Sequence, residues 1–168
     1  MQLGIRPELH PQEREDGKVY LPPASYNLTT KGKKAICKCL RGVRVPIGYS
    51  SNINNLVSMK DLKLVGIKSH DCHVMIMRML PIAIRGVNPD YIKLIVTRLC
   101  HFFNIIAQKV IDPTKLATLQ VEIAETLSML EMVFPCSLFD MMVHLLGHIV
   151  GEIMILRPVY LHQMYPFE

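Results

Sequence analysis

The 168-residue sequence predicts an all-α fold: about five helices behind a long irregular N-terminal arm. Three observations predict it. Apolar residues recur at helical spacing through residues 88–157. Two start signals, Asn88-Pro89 and Asp112-Pro113, punctuate that span, because proline suits the first turn of a helix. The breaks near 111–113 and 133–137 are short, and short links favour antiparallel neighbours. Nothing reads as parallel strands.

The expected organisation is an irregular arm over residues 1–30, a helical domain over 31–157 and a short C-terminal segment over 158–168. Pro7, Pro11, Pro22 and Pro23, set among many charges, make the arm extended or looped. Thr30 is placed to cap a helix from Lys31 to Leu40 that stops at Gly42. Residues 45–55 read as loop, and 57–68 fit either a short helix or an extended piece. A further helix begins at Ser69 or Asp71, and Pro81 ends or kinks it.

Asn88 as N-cap and Pro89 at the first position then open a long helix. Ile92, Ile95, Leu99, Phe102, Phe103, Ile106 and Val110 share its apolar face. Asp112-Pro113 opens the next, with Leu116, Leu119, Ile123, Leu127 and Leu130 as its stripe and Phe134-Pro135 as its stop. Ser137-Leu138-Phe139-Asp140 resembles a capping box with Asp for Glu. The last helix runs to about Arg157-Pro158, with a core face of Leu138, Met142, Leu145, Leu146, Ile149, Ile153 and Leu156.

Composition narrows the function classes. Half the residues are hydrophobic, yet no apolar run reaches the roughly 18 residues of a membrane span. The first residues lack the apolar core of a signal peptide, so a secreted destination is not expected. Five irregularly spaced cysteines argue against a disulfide framework. A Gly-rich phosphate loop and a nucleophile elbow are both lacking, and no small-molecule substrate is expected. The net charge of +5 is compatible with nucleic acid.

Two polar clusters stand out. Lys68-Ser69-His70-Asp71-Cys72-His73 sets two imidazoles, a carboxylate and a thiol side by side. About seventy residues later, Asp140, His144, His148 and Glu152 recur at intervals of four inside an oily helix. Each step of four advances roughly 400°, so the four form one slightly twisted stripe. Two clamps on separate segments are the usual plan of a structural zinc site. His70, Cys72, His73, His144 and His148 are the candidate ligands, with Asp71 in reserve. The competing arrangement is a metal-free His–carboxylate network or a plain polar surface. His144-Leu145-Leu146-Gly147-His148 has the spacing of H-E-x-x-H, but Leu145 replaces the general base, so a zinc protease is not expected.

A basic segment runs from Lys31 to Arg44. Lys33, Lys34, Lys38 and Arg41 are its candidate phosphate contacts, and the competing reading is a solvated face. DNA bound there would be held weakly and without sequence preference.

Several stretches resemble a known family. They are Val45-Pro46-x-Gly48-Tyr49-Ser50-Ser51-Asn52-Ile53, Leu56 to Leu64, Lys68-Ser69-His70-Asp71-Cys72-His73-Val74 and Leu80-Pro81-x-Ala83-Ile84-Arg85-Gly86. Lys109-Val110-Ile111-Asp112-Pro113, Phe139-Asp140-x-Met142-Val143-His144-Leu145 and Pro158-Val159-Tyr160-Leu161-x-x-Met164-Tyr165-Pro166-Phe167-Glu168 follow. Together, over nearly the whole chain, they resemble the domain of unknown function that follows the transposase core in plant En/Spm (CACTA) transposons.

The resemblance implies a support role beside a DDE-type core, which cuts and joins DNA with three carboxylates and two Mg²⁺ ions. Related transposases hold part of a helical insertion with zinc on Cys/His pairs. Glu168 then becomes the candidate third carboxylate, active only in an intact parent protein; the two sheet aspartates are not found in this sequence. Gly151 and Ile76-Met77-Arg78 depart from the family pattern, and the family continues into a basic stretch beyond Glu168. A transposase-derived module without its own activity is therefore expected. Its partners would be DNA and the rest of a transposase core, in the nucleus. The alternative is a helical protein–protein interaction domain without metal.

Overall fold

The computed structural model describes residues 11–13, 17–24, 26–44, 53–87 and 89–162. The all-α expectation holds: helices dominate, and the only strands among the described residues form two small antiparallel ladders. No helix among these residues is long and apolar enough to cross a membrane.

In the arm, β1 (Gln12–Glu13) pairs with β2 (Val19–Tyr20). The turn between them passes through Gly17 at φ +73°, a conformation that favours glycine. The arm is tied down at Tyr26, whose ring stacks on Phe134 at 5.2 Å.

Helix α1 spans Thr30–Gly42. Its cap is Thr29, one residue earlier than expected, and the Thr29 hydroxyl accepts from the Gly32 N–H at 3.1 Å. Thr30 already has helical geometry, so it cannot serve as the half-in residue. A short α2 (Ile53–Leu56) leads into β3 (Val57–Ser58), which pairs with β4 (Lys63–Leu64). This hairpin settles the ambiguity over residues 57–68.

Helix α3 (Ser69–Val74) continues through a π-helical turn, Met75–Met79, into α4 (Leu80–Ala83). Pro81 therefore does not end the rod at the preceding residue. The widened turn absorbs it: the Leu80 N–H donates to the Met75 carbonyl, five residues back. Pro81 has no N–H to offer the Met77 carbonyl, and the Asn104 side-chain amide takes that place with a long bond of 3.5 Å. Residues 69–83 and α1 enclose the first core, with Leu40, Ile53, Val57, Val74, Met75, Met79 and Ala83 buried.

Helix α5 (Asp90–Ile106) starts one residue later than expected, with extended Pro89 as its cap; Asn88 lies outside the described residues. It ends at Ile106, so Val110 is not on its apolar face and is 82% exposed. Helix α6 (Leu116–Val133) follows a 3₁₀ turn opened by Asp112, whose carboxylate accepts from the Thr114 N–H and hydroxyl. Those bonds hold the Asp112 carboxyl below its usual range. The α6 stripe is buried as expected at Leu116, Leu119, Ile123 and Leu130. Thr126 joins them because its hydroxyl donates to the Glu122 carbonyl at 2.7 Å. Arg98 on α5 pairs with Glu125 on α6 at 3.1 Å, across an antiparallel contact.

The last expected helix is two. Helix α7 spans Met141–Leu146 and α8 spans Ile149–Leu156. Asp140 is the N-cap of α7, accepting from the Met142 and Val143 N–H groups, so it is not the closing acidic residue of a box opened by Ser137. Gly147 and His148 donate to carbonyls three residues back, which tightens the corner. Gln120 of α6 donates to the Gly147 carbonyl at 2.8 Å. The break changes the buried face: Val150 and Ile153 are buried, whereas Leu138, Met142, Leu145 and Leu156 are exposed. Together with α5 and α6 they form the second core, which includes Phe102, Ile106, Leu116, Leu119 and Ile123.

Candidate functional site

The first polar cluster sits at the start of α3. Asp71 is 1% exposed, and its carboxylate accepts from the Lys68 N–H at 3.2 Å. It is thus an N-terminal capping residue facing inward rather than a ligand in reserve. Cys72 is exposed, and His70 is exposed beside half-buried His73. Burial, with a smaller contribution from His70, lowers the His73 pKa and favours its neutral form.

The second cluster lies at the α7–α8 corner. The His144 and His148 Nε2 atoms are 3.2 Å apart, and their rings meet edge to face. Both side chains are exposed. They line a hollow of about 330 Å³ together with Leu127, Glu131, Asp140 and Val143. Glu152 is exposed on α8.

The structure does not gather the five predicted ligands into one centre. Among the described residues, no group of three or more His, Cys, Asp or Glu side chains is placed to hold a metal. The reason is in the packing. Residues 69–83 close over the core shared with α1, while α7 and α8 pack against α6. The His144 and His148 Nε2 atoms stand at a separation that suits chelation of one ion.

The basic helix is clearer. Cys37 and Leu40 are buried, with Ile36, Cys39 and Val43 packed beside them, so α1 has one inward face. Lys31, Lys34, Lys38 and Arg41 fall within about 80° of arc on the opposite side. All four are exposed, and none has an ion-pair partner among the described residues. Lys33 is exposed too but stands about 80° outside that arc. The ridge therefore includes Lys31, which the predicted phosphate set left out; spacing of three, four and three residues was the signal for it. Glu168 lies outside the described residues.

A family model described as a domain of unknown function (DUF4218) matches residues 106–168. No curated protein and no solved structure matches the chain.

Proposed function

We propose that this chain is a transposase-derived helical module of the plant En/Spm (CACTA) type, a DNA-associated support for chemistry performed elsewhere in a larger protein. One observation carries the DNA association: the ridge of Lys31, Lys34, Lys38 and Arg41 projects away from the core without ion-pair partners among the described residues. Cations three and four residues apart line up along a helix and can follow a phosphate backbone. The sequence resemblance supports the transposase origin. In this reading the sheet aspartates and Mg²⁺ belong to the transposase core, the chain acts in the nucleus, and Glu168 is the candidate third carboxylate.

The test is duplex DNA binding followed by fluorescence anisotropy at low salt. Wild-type protein should bind without sequence preference, and charge reversal of the four ridge residues to Glu should abolish binding. Undiminished binding by the folded reversal variant would show that the ridge is only a solvated face.

A second reading, a protein-interaction module, draws on a different observation. Large apolar side chains stay exposed along α7 and α8, with Met142 68% and Ile155 78% exposed. Such exposure over neighbouring helices commonly marks a contact surface. Met142→Glu with Ile155→Glu should then leave DNA binding intact and weaken association with a transposase core.

A further inference from the structure

We propose that His144 and His148 form an open two-imidazole site for a first-row divalent cation, and that the bound ion staples α7 to α8. This inference is independent of the DNA reading.

The bite is already set. Two nitrogens bound to one tetrahedral ion at about 2.0–2.1 Å stand roughly 3.3 Å apart. The two Nε2 atoms stand 3.2 Å apart, so an ion can enter with little change of either ring. In the tautomer pair that hydrogen-bonds at that distance, one ring donates its Nε2–H and the other accepts. Loading needs both Nε2 lone pairs. The shared proton moves through solvent to Nδ1 of the same ring, and two metal–nitrogen bonds replace one hydrogen bond. With both rings neutral, no net proton is released.

The surroundings favour a cation with exchangeable positions. Glu131 and Asp140 line the adjoining hollow and contribute negative charge. The Asp140 Oδ1 atom is engaged with the Met142 and Val143 N–H groups, so this carboxylate acts by its field. Among the described residues no third protein ligand is in place, and water completes the coordination. Imidazole ligands suit zinc, nickel and copper, and affinity should follow the order Cu²⁺ above Ni²⁺ and Zn²⁺.

The position gives the ion a structural effect. His144 belongs to α7, and His148 is the N-cap of α8. The corner between them is held by two three-residue-back hydrogen bonds and by Gln120. A metal bridge across His144 and His148 ties the two helices through side chains as well, and should slow local opening there.

The experiment titrates the purified chain with Cu²⁺, Ni²⁺ and Zn²⁺ separately by calorimetry at neutral pH. The site predicts tight binding of one ion. His144→Ala and His148→Ala should each weaken it by on the order of tenfold or more. His70→Ala with His73→Ala should leave it unchanged. Amide exchange over residues 145–150 should slow on adding Zn²⁺ to wild-type protein and not to His148→Ala. Equal affinity in wild-type and His144→Ala protein, or loss only in the His70/His73 variant, would overturn the proposal. If an alanine variant fails to fold, wild-type protein still decides: Ni²⁺ that leaves the NMR signals of residues 141–152 unbroadened refutes the site.

Discussion

Gly151 is the third residue of α8, in its first turn. It is half-buried, and a Cβ built on it would meet no heavy atom within 4 Å. Its φ is not in the left-handed region, so an L side chain introduces no backbone strain. Gly151→Ala should therefore stabilise the protein by up to about 1 kcal/mol, the helix-interior difference being the ceiling for a first-turn position. Part of that gain comes from narrowing the unfolded ensemble. For a chain of this size about 1 kcal/mol corresponds to a Tm increase of roughly 2–4 °C. Urea unfolding followed by far-UV circular dichroism would measure it, with an unchanged slope as the control for two-state comparison. A loss of stability would show that residue 151 is not at an open helical position and would refute the placement of α8.

Two further outcomes follow from the cores and the thiols. Ile123 is 1% exposed at the centre of the second core, and Ile123→Ala should cost about 2–5 kcal/mol in denaturant unfolding; a cost below about 1 kcal/mol would contradict that packing. Cys100 is buried and its thiol is pushed up to about 11, whereas Cys72 is exposed. A thiol reagent near neutral pH should label Cys72 in the native protein and Cys100 only after unfolding. Equal labelling rates under native conditions would contradict the burial of Cys100.

The long helices were legible because each combined periodicity with a local stop or start. Leu116, Leu119, Ile123 and Leu130 sit on the buried stripe of α6, and Phe134-Pro135 marks its end. What the sequence concealed depended on tertiary partners. Pro81 reads as an end or a kink, and a π turn and the Asn104 amide on α5 let the rod continue. The oily pattern from Leu138 to Leu156 reads as one helix. Gln120, donating to the Gly147 carbonyl from α6, helps define a corner that turns Met142 and Leu145 outward. Asp71 looks like a spare ligand beside two histidines, yet capping and burial draw it inward. The His144–His148 pair was legible because spacing of four residues survives the corner. Its separation from His70 and His73 was not, because that depends on which core each helix joins.

The salt dependence of duplex DNA binding tests the central claim most directly. Each phosphate neutralised contributes a slope of about −0.9 in the logarithm of affinity against the logarithm of salt. If Lys31, Lys34, Lys38 and Arg41 all meet phosphates, the wild-type slope should be roughly −3 to −4. Replacing Lys34 and Lys38 by Gln should reduce its magnitude by about 2 while the fold persists. A slope identical in wild-type and variant protein would contradict a phosphate-binding role for α1.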